Sequence, residues 1–189
     1  MLAPVMFAGS FAAIVGLAAV GAMILAFLPA HQAGSAHVSG AEEPARPLVE
    51  ILRQPLFAIG LLCAVGSYAL MSFVMTGAPL AMVGCGFTPD EAALGISFHV
   101  MAMFAPSFVT GRLMTRFGKE RVTAAGMLLI AVSAIVALAG LELINFWGSL
   151  AIMGIGWNFS FIGATAMVTD CHTPGERAKA QGANDFMVF

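Results

Sequence analysis

Charge is what this sequence has least of. Asp, Glu, Lys and Arg make up 10% of its residues and none occurs before Glu42, whereas a soluble globular domain is roughly a quarter charged. With 60% of the residues hydrophobic, that shortage excludes a water-soluble domain and leaves a membrane chain. The formal net charge of −2 offers no basic surface, so no nucleic-acid partner is expected. Cysteine is scarce too. Cys63, Cys85 and Cys171 cannot form a framework, and their expected places, a span, a translocated loop and a cytoplasmic loop, keep them apart; no disulfide is expected. Cys171 beside His172 supplies two ligands where a structural zinc needs four. Also absent are a nucleophile elbow, a zincin histidine pair and a phosphate-binding loop. Gly95, Ser97 and His99 stand two apart on a helix and do not face one another. No catalytic residue, metal site or cofactor is expected, and the chain does not read as an enzyme.

What the sequence does have is long apolar runs. Five of them, at about residues 5–28, 56–80, 92–110, 122–141 and 146–168, approach or exceed the length that crosses a hydrocarbon core of about 30 Å at 1.5 Å per residue. They are apolar on every face and longer than a tilted barrel strand, so helices are expected. The first run follows no cation and is too long for a signal-peptide core; it reads as a retained span within a unit of residues 1–29. Residues 30–55 hold glycines, serines, Glu42, Glu43, Pro44 and Pro47, a composition that resists burial and helix alike and suits a cytoplasmic loop. Within it, residues 48–53 have the pattern of a short amphipathic helix at the interface, stopped by Pro55, which can open the next helix. Residues 56–169 then hold four transmembrane helices. Residues 170–189 form a cytoplasmic connection and the start of another helix.

The few cations are placed by a rule. Arg46 and Arg53 follow the first run, Arg112, Arg116, Lys119 and Arg121 the third, and Arg177 and Lys179 the fifth; none follows the second or fourth. Cations gather on the cytoplasmic side of membrane proteins, so the odd crossing count puts the N-terminus outside and Phe189 inside or entering a sixth crossing. The chain stops on Phe186, Met187, Val188 and Phe189 without a polar tail, and it is expected to be a piece of a longer protein. An internal repeat is also suggested. Thr88-Pro89-Asp90-Glu91 and Thr173-Pro174-Gly175-Glu176 both read as capping boxes with proline at the first helical position. Each follows a span carrying a mid-membrane glycine and aromatic residue, Gly66 with Tyr68 and Gly156 with Trp157. Three-helix inverted repeats would produce this arrangement, although Thr-Pro-x-Glu is also a common way to start any helix.

Between the third and fourth runs the sequence reads Gly111-Arg112-Leu113-Met114-Thr115-Arg116-Phe117-Gly118-Lys119-Glu120-Arg121. This resembles the loop signature of the major facilitator superfamily: a glycine, three variable residues, an acid, a cation, one residue, a second glycine, then cations. Gly111, Arg116, Gly118 and Lys119 match, and Thr115 stands where the family has its acid. In that family the fuller copy joins helices 2 and 3 and a degenerate copy joins helices 8 and 9. The resemblance therefore implies helix 6 for residues 1–29, the central cytoplasmic loop for 30–55, helices 7–10 for 56–169, and the connection into helix 11 for 170–189. It implies an all-α polytopic bundle, part of the C-terminal half of a major-facilitator fold, in a bacterial inner membrane. The loop would act in conformational switching.

The resemblance further implies transport of a small solute by alternating access, in which two halves rock around a central site. The missing half of the same transporter would be the main protein partner, the bilayer the solvent. Cavity-lining helices 7 and 10 would place Ser67, Tyr68, Ser72, Trp157 and Asn158 near the midplane; the competing reading is packing or hydrogen bonding between helices. His99 is the one imidazole inside an expected span, which makes it a candidate proton carrier or substrate contact, or equally an interhelical histidine. No carboxylate lies in a span interior, so a coupling proton carried by one would need the missing half. Thirteen methionines and fifteen phenylalanines without intramembrane charge favour a hydrophobic or amphipathic solute. The runner-up is a non-transporting membrane receptor or assembly module that keeps the fold.

Overall fold

The computed structural model describes residues 8–27 and 46–189. The linker at residues 29–40, the acidic and proline-bearing stretch at 42–44, and the ends of the first apolar run lie outside the described residues. The chain divides into two units, Met1–Glu43 and Pro44–Phe189. The first contains α1, Ala8–Phe27, whose described large side chains, such as Ile14, Leu17 and Ile24, are exposed. A helix without a polar face suits lipid or other helices, not water.

The second unit is all helix, with no strand among the described residues. A five-residue helix, α2 (Leu48–Leu52), leads into α3 (Pro55–Gly84), where Pro55 stands at the helix start as its missing N–H allows. Ile51 of α2 is fully buried against Phe57, Val168, Cys171 and Ala180, so the short helix packs on protein. Pro79 does not end α3. The helix runs on to Gly84 and closes at Cys85, whose N–H reaches the Ala81 and Met82 carbonyls, followed by Gly86 at φ 93°. One proline costs a single intrahelical bond plus local crowding, which a long apolar helix absorbs.

The third apolar run is not one straight helix. α4 (Pro89–Phe104) and α5 (Ser107–Phe117) are bent by 41° at Ala105-Pro106. Pro106 has no N–H to donate back up the helix, and its ring crowds the preceding turn. The start of α4 is the expected capping box: the Thr88 N–H donates to Glu91 Oε2 at 2.8 Å, and the Glu91 N–H donates to Thr88 Oγ1 at 3.3 Å. After α5, Gly118 at φ 91° turns the chain into α6 (Lys119–Leu138), a backbone region that side chains other than glycine rarely adopt. α7 (Leu143–Thr169) follows. The second Thr-Pro-x-Glu opens a single 3₁₀ turn, Pro174–Glu176, before α8 (Arg177–Val188).

Among the described residues α3, α6 and α7 are each long and apolar enough to cross a membrane, and α4 with α5 makes a fourth crossing if the bent pair is one span. α7 sits at the centre of this unit, packed against α3, α4 and α6. Small residues let it do so. A Cβ on Gly126 of α6 would meet the Gly156 carbonyl at 2.7 Å, and one on Gly154 would meet the His99 carbonyl at 2.6 Å, so backbones touch where larger side chains would hold them apart.

Candidate functional site

The two ends of the second unit differ in charge. At one end lie the Cys85–Glu91 turn and the Gly140–Asn145 turn, which contain Asp90, Glu91 and Glu142 and no cation. There Trp147 Nε1 donates to the Glu91 carbonyl at 3.1 Å, tying the start of α7 to the start of α4. The eight cations belong to the other end, in Arg46, Arg53, the second half of α5, the start of α6 and the start of α8. This is the arrangement the positive-inside pattern expects.

Two clasps close the cationic end. Lys119 Nζ donates to both Asp170 carboxylate oxygens at 2.6 Å and to the Ala166 carbonyl at 3.1 Å, so the first residue of α6 is held to the last turn of α7. The loop residue Lys119 was legible in the sequence; its partner, outside the motif, was not. Among the described residues Gly111 and Arg116 make no bond in this clasp, and Arg116 lies over the neighbouring Phe117 ring at 5.3 Å. Thr115 donates only to the Arg112 carbonyl of its own helix, at 2.9 Å. The second clasp has no sequence signal. Arg46 grips the buried Glu176 carboxylate with its Nε (2.9 Å), its Nη2 (2.8 Å) and its backbone N–H (2.9 Å). Arg46 Nη2 and Gln54 Nε2 both donate to the Cys171 carbonyl, at 3.1 and 2.9 Å. The side-chain bonds from Arg46, then the Thr173 N–H, hold the Glu176 carboxyl well below the usual carboxylate range. Cys171 itself is buried, its thiol donating to the Met167 carbonyl, and burial pushes its pKa up.

The midplane candidates separate into two groups. Asn158 is fully buried and spans the break in the α4–α5 span. Its Nδ2 donates to the Met103 carbonyl (2.6 Å) and to Ser107 Oγ (2.7 Å), while its Oδ1 accepts from Thr110 Oγ1 (2.6 Å). A bend at a proline frees backbone carbonyls that lipid cannot satisfy. Asn158 occupies one of them and adds two side-chain bonds below it. His99 lies on the same face: fully buried, with Nδ1 against the Leu150 carbonyl at 2.7 Å and Nε2 without a partner among the described residues.

Tyr68 and Trp157 form the second group. Trp157 stacks on Phe161 with ring centroids 4.8 Å apart and planes within 10°, and Tyr68 meets Phe161 at 6.2 Å and Phe189 edge-on at 4.8 Å. Phe161 and Phe189 were not singled out in the sequence, although Phe161 is one turn from Trp157. Ser67 is buried and donates to the Ala64 carbonyl of its own helix at 3.1 Å, and the Ser72 carbonyl accepts from Thr76 Oγ1 at 2.9 Å. An open apolar groove of about 230 Å³ lies elsewhere, between Leu113, Phe117, Arg121, Val122, Ala125 and Phe159, and includes none of these candidates. Among the described residues no cluster of His, Cys, Asp and Glu could hold a metal.

Comparison with known proteins points the same way as the charge pattern and the loop. The profile of the Major Facilitator Superfamily matches residues 2–189. The chain is 58% identical over 188 residues to the "Riboflavin transporter RfnT" of Brucella anthropi, a match covering 97% of this chain and 46% of that protein. It is also similar to two proteins of Bacillus subtilis (strain 168), each matched over 69% of this chain. These are the "Uncharacterized MFS-type transporter YddS", 32% identical with 30% of its length covered, and the "Uncharacterized MFS-type transporter YdeG", 34% identical with 31% covered. The chain thus spans less than half the length of these relatives. No solved structure matches it. These names are those of transporters and not of enzymes, and with a profile match across nearly every residue this helical, multi-pass membrane chain belongs to the major facilitator superfamily.

Proposed function

We propose that this chain is part of a secondary transporter that carries riboflavin, or a flavin with the same ring system, across a bacterial inner membrane by alternating access. The observation that carries the reading is the 58% identity over 97% of the chain with a relative named as a riboflavin transporter. The membrane interior supports it. Riboflavin is neutral, and no carboxylate, lysine or arginine lies in the interior of a described span to serve as counter-charge for an ionic solute. Its aromatic ring is amphipathic and its side chain is a polyol, so of the hydrophobic or amphipathic solute that the methionine and phenylalanine content favoured, the hydrophobic alternative gives way to a vitamin. Those side chains are better accounted for by lipid contact: Phe73, Phe104, Phe108 and Phe186 are each more than 60% exposed.

In this reading the other half of the transporter completes the central site, and the cationic clasps at Lys119–Asp170 and Arg46–Glu176 hold the cytoplasmic end of this half as one body during rocking. A proton is the proposed coupling ion. It would ride on His99 or on a group outside this chain. The test is growth: the full-length gene product, expressed in a bacterial riboflavin auxotroph without an importer, should restore growth at low external riboflavin. Membrane-inserted protein with growth no better than the empty vector would overturn the reading and favour the non-transporting module.

A further inference from the structure

Resting on the riboflavin reading, we propose that Trp157 is the stacking platform for the flavin ring, backed by Phe161 and flanked by Tyr68. The two tryptophans of the chain differ in a telling way. Trp147 is fastened by its N–H to the Glu91 carbonyl and meets Phe98 edge-on, at 64°; its role in joining α7 to α4 accounts for both. Trp157 has neither feature. Its Nε1 is buried without a partner among the described residues, and its ring lies parallel to Phe161, at 10°.

Aromatic pairs in packed interiors settle edge-to-face or offset-stacked, and the Phe87–Phe146 and Tyr68–Phe189 contacts are edge-on at 76° and 78°. Trp157–Phe161 is the parallel case among these contacts, and a parallel pair leaves an outer face on each ring, of which the indole's is the one on which a third planar ring can continue the stack. Trp157 is half-buried, not enclosed. The nearby polar groups are already committed: Asn158 to the α4–α5 break and Ser160 to the Trp157 carbonyl. The indole N–H also lacks a partner among the described residues, and it is a donor suited to a flavin carbonyl. A stacked ring and one donor are what a neutral tricyclic ligand asks of a low-dielectric site.

The experiment uses the full-length gene product, purified in detergent and reconstituted, with riboflavin and the ring-only analogue lumiflavin as probes. Trp157→Leu keeps apolar bulk for membrane insertion and removes the π-face; Trp157→Phe keeps a ring and removes the donor. Riboflavin fluorescence should be quenched on binding to the wild type, because stacked indole is an efficient quencher. Trp157→Leu should abolish that quenching and weaken both ligands at least about tenfold, appearing in uptake as a raised KM. Trp157→Phe should retain binding within about threefold of the wild type. If the wild type binds riboflavin and Trp157→Leu binds it equally well, the platform is refuted while the substrate reading stands. If the wild type binds neither flavin, the substrate reading fails and the platform with it. If Trp157→Leu does not insert, unchanged fluorescence of riboflavin bound to the wild type refutes the platform by itself.

Discussion

At the scale of single residues, the buried polar groups hold most of the specific information. Asn158 makes three hydrogen bonds across the α4–α5 break, and replacing it with leucine leaves the Met103 carbonyl without that donor, in a region water does not reach. Asn158→Leu in the full-length protein should lower unfolding free energy by about 1–3 kcal/mol, measured by denaturant unfolding in detergent. Ser160→Ala, which removes a hydroxyl bonded only within its own helix, should shift it by less than about 0.5 kcal/mol. Equal stability of Asn158→Leu and the wild type would sink the account of the break. Glu176 gives a pH prediction. Its folded-state pKa is depressed by Arg46, so its stabilising contribution is present above the ordinary carboxylate pKa and is lost only as pH falls through the depressed folded value. Hydrogen-exchange protection in residues 46–54, taken relative to the intrinsic rate at each pH, should stay flat from neutrality down to mild acid in the wild type. In Glu176→Gln that protection should be lower across the whole range; identical protection would contradict the clasp.

At the scale of elements, apolar run length and cap chemistry made most helices legible in advance, and what was missed has identifiable causes. The cap at Thr88, the proline start at Pro55 and the short helix at 48–53 depend on neighbours in sequence, so local rules reach them. The break at Pro106 was also local, yet hydropathy alone passes over it because alanine, proline and phenylalanine keep the run apolar. Burial of Cys171 and the Arg46–Glu176 pair depend on groups more than a hundred residues apart, and no local pattern brings them together. The glycine contacts between α6 and α7 supply a sharp test. Gly126→Val would drive a side chain into the α7 backbone and should prevent accumulation of folded protein in the membrane. Gly66→Ala, whose new Cβ would meet nothing within 4 Å, should be tolerated. For the Lys119–Asp170 pair, which is partly exposed, the expected stability loss is small, under about 1 kcal/mol. In the proposed transporter its role is positional, so Lys119→Glu should slow uptake, and the double change with Asp170→Lys should recover it.

At the scale of the whole molecule, the scarcity of charge and its concentration at one end predict an orientation, which thiol chemistry can check. The exposed Cys85 lies at the cation-free end and should react with an impermeant maleimide from outside the cell. Buried Cys171 cannot report on the other side, but Thr115→Cys, on the exposed surface of α5, should react only after permeabilisation; the reverse order would contradict the topology. The family could be read from the imperfect loop at Gly111–Lys119 together with the cation pattern. The proposed flavin could not, because the midplane candidates are aromatic and small polar residues that serve packing as readily as binding. Transport of riboflavin is the central claim, and uptake of radiolabelled riboflavin into proteoliposomes containing the full-length gene product tests it most directly. Saturable accumulation, competed by unlabelled riboflavin and absent from protein-free vesicles, is the predicted result; correctly inserted, folded protein that takes up no more than empty vesicles under every imposed ion gradient would contradict it.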